Sequence, residues 1–279
     1  MAYLADRDGG LRMDVGPRNE QKSGPGEAVI RLDNVEMRYP GQDQPALKVE
    51  ALTIKEGERV ALIGPSGGGK TTLLRLMNGT LSPSSGSIDI LGERLSEHAP
   101  LAREHRRRTG MIFQGFALVE RATVMQNVLA GRLGYAHPWL SLFGKFGDED
   151  RRLAMEAIAE VDLLGKAHER VDDLSGGQRQ RVAIARVLAQ APDLILADEP
   201  VSQLDPALTL EIIDLLTKAC QRRHATLVMA VHQPDLAKVH MERILAVKDA
   251  EIVFDGPPEA LSEEVRSRIY ARDTERLGT

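Results

Sequence analysis

The sequence predicts an α/β fold: a mainly parallel core sheet, an antiparallel β subdomain at its N-terminal side, and a helical subdomain inserted in its middle. Three observations carry that prediction. Short apolar runs such as Val60–Ile63 and Leu194–Ala197 are continuous, as in strands buried on both faces, and helical stretches separate them. Earlier runs alternate apolar and polar residues, as half-buried antiparallel strands do. A glycine loop joins one of the continuous strands directly to a helix.

Along the chain, residues 1–27 combine Gly9, Gly10, Gly16, Pro17, Gly24, Pro25 and Gly26 with no sustained period, and read as a flexible tail. The main domain is expected over 28–256. Alternating strands open it at Val29–Val35 and at Leu47, Val49, Leu52 and Ile54. Arg59–Ile63 is the first continuous strand, Gly64–Gly69 a loop and Lys70–Met77 a helix. The helical subdomain is placed at about 115–190. Within it Leu153, Ala157, Ile158, Val161 and Leu164 mark an amphipathic helix over 148–164, started by the acidic Asp148–Asp150. Strands follow at Leu194–Ala197, Thr226–Val231 and Ile244–Val247, with a helix over Leu208–Arg223. Residues 257–279 are read as a C-terminal helical extension.

Composition excludes several classes. With 42% hydrophobic and 28% charged residues, the 279-residue chain can bury a core and is not globally disordered. A net charge of -5 argues against coating nucleic acid. The single Cys220 rules out an intrachain disulfide or a multi-cysteine zinc site, and reads as a helix residue in a reducing compartment. Apolar stretches such as Leu227–Val231 fall far short of the roughly 20 residues a spanning helix needs. Asp6, Asp8 and Gly9–Gly10 interrupt any apolar leader, so the chain is expected to remain where it is made.

Gly64-Pro65-Ser66-Gly67-Gly68-Gly69-Lys70-Thr71 fits the phosphate-loop pattern. Glycines let successive N–H groups turn toward phosphates, Lys70 reaches the β- and γ-phosphates, and Thr71 offers Mg²⁺ a hydroxyl. Leu194–Ala197 ends in Asp198–Glu199, which a parallel strand delivers beside that loop. There Asp198 would hold Mg²⁺ and Glu199 could take a proton from water. A third motif, Leu174-Ser175-Gly176-Gly177-Gln178, precedes a helix expected to begin near Arg179.

Together these motifs, in this order, resemble the ATP-binding-cassette (ABC) ATPases over residues 29–256. The resemblance implies ATP and Mg²⁺ as cofactors and further site residues. Tyr39 corresponds to an aromatic against adenine, although a plain core aromatic fits it too. Thr72 extends the phosphate loop. Gln114 looks like the glutamine loop and a metal contact, His232 like the switch histidine, and Asp205 like the dimer loop after the catalytic acid. Asp205–Pro206 also reads as a helix cap. In the family, two cassettes face head to tail and each signature motif binds the partner's ATP, which implies a homodimer. Gly68 and Thr71 replace the commonest serines, and Gln203 replaces a small residue.

One unfused cassette resembles a bacterial importer subunit on the cytoplasmic face of the membrane, partnered by permease subunits and, indirectly, a periplasmic or extracellular solute-binding protein. The alternatives are an importer ATPase for another small solute and a soluble cassette acting on nucleic acid or ribosomes, the latter disfavoured because no tandem cassette or nucleic-acid-reading insertion is present. Tyr135, Trp139, Phe143 and Phe146, with Val231–Ala237, resemble the ATPase subunits of phosphonate importers. The aromatics either pack inside the helical subdomain or line a groove for a permease helix. The basic run Arg103, Arg106, Arg107 and Arg108 reads as a solvated or partner-facing surface, not a nucleic-acid site.

Overall fold

The computed structural model describes residues 27–95, 103–135, 144, 146–202 and 204–271. The tail through residue 26, Trp139, Phe143, Gln203 and the last eight residues lie outside that set, so the expectations placed on them do too.

The strands are β1 (Ala28–Met37), β2 (Leu47–Lys55), β3 (Arg59–Ile63), β4 (Ser85–Ile90), β5 (Glu93–Leu95), β6 (Thr109–Ile112), β7 (Leu194–Asp198), β8 (Thr226–Ala230), β9 (Arg243–Lys248) and β10 (Glu251–Gly256). They form one sheet in the order β5-β4-β1-β2-β10-β9-β3-β8-β7-β6. From β9 to β6 every pairing is parallel. The β1, β2, β4 and β5 pairings are antiparallel. The two regions join where Glu251 of β10 pairs with Lys48 of β2.

The α-helices among the described residues are α1 (Lys70–Met77), α2 (Arg103–Arg108), α3 (Val124–Leu129), α4 (Asp148–Glu160), α5 (Gly176–Gln190), α6 (Pro206–Arg223), α7 (Pro234–His240) and α8 (Glu263–Tyr270). The continuous apolar strands are explained by two cores. Val60, Leu62, Leu194, Leu196, Val228 and Ala230 face α1 and the antiparallel strands. Ala61, Ile63, Ile195, Ala197, Leu227 and Met229 face a larger core that takes in α3, α4, α5 and α6. Alternate side chains on each strand therefore enter different cores, and no strand position is left for a polar face.

The helix expected to reach Leu164 ends at Glu160. Asp162 adopts φ 57, and the N–H groups of Asp162 and Leu163 return to the carbonyls of Ala159 and Ile158. That closure is a Schellman cap, which turns the chain and leaves Leu164 52% exposed. The helix expected near Arg179 starts earlier, at Gly176. There Ser175 and Gln178 form a capping box, the side chain of each accepting the other's backbone N–H. The sixth helix begins at Pro206, with Asp205 as its N-cap.

Candidate active site

β3 runs into the phosphate loop, and the loop's shape is set by close approach to β9. A Cβ at Gly64 (φ 133) would stand 2.0 Å from the carbonyl oxygen of Val247. Only glycine combines that backbone angle with that distance. Gly69 (φ 116) caps α1 with the Ala46 carbonyl 3.2 Å from its Cβ position, so β2 presses on the loop from the other side. The loop is tied internally, where Gly68 N–H donates to Pro65 O at 3.1 Å, and to the β9–β10 turn, where Ala250 N–H donates to Gly68 O at 3.1 Å. Ser66 and Gly67 stay exposed at its tip.

Lys70 is buried, and its Nζ donates to the carbonyls of Gly64 (2.9 Å) and Pro65 (3.0 Å). Burial holds its pKa below the usual lysine range, against the raising effect of Glu199 and Asp198. The ammonium is thus kept inside the loop by weak carbonyl partners that an incoming anion can replace. Thr72 is buried behind it, its hydroxyl 3.3 Å from that of Tyr39. Tyr39 is partly buried and packs against the core shared with α1.

Parallel register brings the other groups to the same end of the sheet. Asp198 ends β7 opposite Ala230 of β8, so Glu199 and His232 emerge side by side. His232 Nε2 lies 2.6 Å from Glu199 Oε2, with the carboxylate 12% exposed and the imidazole 47% exposed. Glu199 is held at φ 49, an uncommon conformation for its side chain. Ser202 stabilises this turn, its N–H and its hydroxyl both donating to Glu199 O. Thr71 Oγ1 donates to Asp198 Oδ1 at 3.3 Å. Burial, assisted by Glu199, raises the Asp198 pKa against the lowering effect of Thr71, Arg75 and Lys70.

No group of three or more His, Cys, Asp or Glu residues able to hold a metal exists among the described residues. The Thr71–Asp198 pair nevertheless fits Mg²⁺. It offers hard oxygen donors only, and Mg²⁺ takes one or two protein ligands when phosphates supply the rest. Gln114, two residues past β6, is exposed, and among the described residues no hydrogen bond joins it to Thr71 or Asp198.

Leu174 is buried, Ser175 is exposed, and Gly176 and Gly177 open α5. A Cβ at Gly177 would meet Leu208 at 2.2 Å, so this glycine lets α5 pack against the start of α6, beside Asp205. Among the described residues no hydrogen bond connects Ser175–Gln178 with the phosphate loop of the same chain.

Two contributions have no motif behind them. Val247 and Ala250 shape the phosphate loop mainly through backbone atoms, with Val247 Cγ1 adding a 3.2 Å approach to the Cβ position of Gly69, and backbone contacts carry no signal in residue type. Arg186 of α5 donates to the carbonyls of Phe116 (3.1 Å) and Ala117, both at positive φ, and so fastens the segment after Gln114 to the helix that Ser175 caps. Beneath them lies a groove of about 400 Å³ lined by Thr109, Met111, Phe113, Ala117, Arg186 and Gln190. Nearby, the guanidiniums of Arg107 and Arg132 lie over the Tyr135 ring, 5.0 and 4.0 Å from its centroid. Phe146 packs against the larger core.

Known proteins similar to this chain in sequence and fold are ATP-binding cassettes. The ABC transporter family model matches residues 47–202. The phosphonates import ATP-binding protein PhnC 1 of Rhodopseudomonas palustris is 44% identical over 88% of both chains. The phosphonates import ATP-binding protein PhnC of Staphylococcus aureus is 43% identical over 89% of this chain and 98% of its own. A dimeric ATP-binding cassette in a post-hydrolysis state, bound to ADP and Pi, superposes with a TM-score of 0.70 at 33% identity, covering 82% of this chain and 98% of that one. CbiO1 of Clostridium perfringens, part of an ABC transporter complex, gives 0.73 at 29% identity over 86% and 93%.

Proposed function

The chain belongs to the ABC transporter ATPase family, and from that premise we propose that it is the ATP-hydrolysing subunit of an importer for phosphonates or a related phosphorus oxyanion. The observation that carries the catalytic half is the convergence of Gly64–Thr72, Asp198, Glu199 and His232 at one end of the parallel sheet. The cargo half rests on relatives at 42–45% identity that are named as phosphonate importers. The ATPase sees its cargo only through the permease it fits.

In this reading the N–H groups of Gly67–Thr72 and the α1 dipole hold the ATP phosphates. Lys70 exchanges its two carbonyl partners for phosphate oxygens. Thr71 and Asp198 would hold Mg²⁺, with Gln114 as a further oxygen donor. The metal supplies neutralisation of phosphate charge when bound. Glu199 accepts the proton of the attacking water, and His232 orients that carboxylate and hydrogen-bonds the γ-phosphate. Tyr39 would stack on the base.

The exposed Ser175 and the first N–H groups of α5 suit a phosphate presented by a second copy, so the active species is a head-to-tail homodimer. Asp205 sits beside that contact and caps α6. Permease subunits dock on the groove along Arg186 and Gln190. The chain then sits peripherally on the cytoplasmic face of the membrane; among the described residues no helix is long and apolar enough to cross it. A periplasmic or extracellular solute-binding protein acts indirectly, and nucleic acid has no part.

The test is the assembled transporter with its binding protein in liposomes. ATP hydrolysis and uptake are measured against alkylphosphonates, phosphite, phosphate, sulfate and amino acids. Stimulation by a phosphorus compound is expected. Stimulation by an amino acid alone would overturn the cargo and leave the chemistry standing.

A further inference from the structure

The C-terminal helix α8 touches both halves of the nucleotide site. Ser262 caps it, accepting from Val265 N–H, and Ile269 anchors it in the larger core at 3% exposed. At its end the Tyr270 hydroxyl accepts a hydrogen bond from the backbone N–H of Gly64 at 3.3 Å. One turn earlier, Arg266 pairs with Asp235 Oδ1 at 3.3 Å. Asp235 lies in the first turn of α7, three residues past His232. Lys248 Nζ donates to Arg268 O at 3.2 Å, which fixes α8 to the end of β9, the strand whose Val247 carbonyl crowds Gly64.

Gly64 is the pivot of the phosphate loop: its φ of 133 is open to few residues, and its carbonyl is one of the two that hold Lys70. A glycine has many other backbone conformations, so a contact that fixes its N–H limits the loop to the shape that accepts phosphates. We propose that Tyr270 is a positioning residue for ATP binding: its hydroxyl pins Gly64 and keeps the phosphate loop preformed. The proposal rests on the reading of Gly64–Thr72 as the nucleotide site. Its energetic basis is preorganisation. When only a fraction of molecules holds the competent loop, apparent affinity falls by that fraction. Tyr270 does not touch the reacting atoms, so it acts on binding rather than on the hydrolytic step. The ring itself packs in the core, which the phenylalanine variant retains.

The experiment compares the full chain with Tyr270→Phe and, in parallel, Lys70→Ala, measuring KM and kcat for ATP hydrolysis and the dissociation constant of Mg-ATP. Loss of one neutral hydrogen bond should raise KM and the dissociation constant of Tyr270→Phe about two- to tenfold. Its kcat should stay within about twofold, and its melting temperature without nucleotide should stay close to the wild-type value. That split separates positioning from a general loss of structure, which would lower kcat and melting temperature together. Unchanged or tighter ATP binding in Tyr270→Phe, with Lys70→Ala defective, would overturn the role of Tyr270 alone. Normal ATP binding by Lys70→Ala would overturn the reading of the loop beneath it.

Discussion

If Glu199 is the base, as proposed, replacing it by glutamine removes that base and little else. The amide has the shape of the carboxylate, it can still meet His232 across the present 2.6 Å, and the turn at φ 49 does not depend on charge. Loss of a positioned general base costs about 10²–10⁴-fold in rate, or about 3–5 kcal/mol of barrier. The carboxylate is only 12% exposed, so bulk water has poor access to act in its place, and the expected loss lies near the upper end, about 10³-fold or more. Folding should hardly register the change. A hydrogen-bonded pair with one half-exposed partner contributes at most about 1 kcal/mol, a few degrees in melting temperature for a chain of this size. Phosphate release is the assay, alongside Mg-ATP binding and size-exclusion chromatography. Glu199→Gln should bind ATP as wild type, nearly cease turnover and accumulate an ATP-bound dimer. His232→Ala should lose activity less completely. Hydrolysis by Glu199→Gln within about threefold of wild type would remove Glu199 as the base.

Two further expectations concern buried groups outside the site. His105 is 3% exposed, and burial lowers its pKa from 6.5, with Arg108 adding to the effect and the nearby Glu93 opposing it. Below about pH 6.5 the unfolded chain therefore takes up a proton that the native chain refuses. Stability should hold above that pH and fall as pH drops from 6.5 toward the lowered native pKa. Urea midpoints should show a shallower acid slope in His105→Gln, and an identical slope would refute the assignment. Cys220 is buried in α6 with its thiol pushed up to about 12 from 9.0, so its thiolate fraction near pH 8 is about 10³-fold lower than in the unfolded chain. Disulfide-exchange labelling should proceed only as fast as the chain opens. Rapid labelling of the native protein would contradict the packing.

Much of this architecture is legible because its chemistry is local. A loop that must point N–H groups at phosphates needs glycine, and a strand buried on both faces needs an apolar run. Lys70–Met77 is therefore readable to the residue. What escaped detection depends on contacts distant in sequence. Ser85–Ile90 is strand β4 although its residues are largely polar, because it pairs with β1 in the antiparallel region. Thr109–Ile112 is too short and too glycine-interrupted to announce β6, which exists through its pairing with β7. The 148–164 helix stops at Glu160 because Asp162 accepts a left-handed conformation that apolar spacing does not encode. In the site, Arg186 and Tyr270 act through backbone atoms of Ala117, Phe116 and Gly64, and backbone partners leave no mark in a sequence motif.

The proposed composite site is tested most directly by mixing two variants expected to be inactive. Lys70→Ala lacks a working phosphate loop but keeps its signature. Ser175→Arg places a bulky charge at the start of α5 but keeps its phosphate loop. In a head-to-tail dimer of one copy of each, one of the two sites receives the intact loop from the second variant and the intact signature from the first. Random pairing makes about half of the dimers mixed, so the mixture should recover about a quarter of wild-type hydrolysis while each variant alone stays near background. Activity in Ser175→Arg alone, or a mixture no more active than its components, would contradict a site shared between two chains.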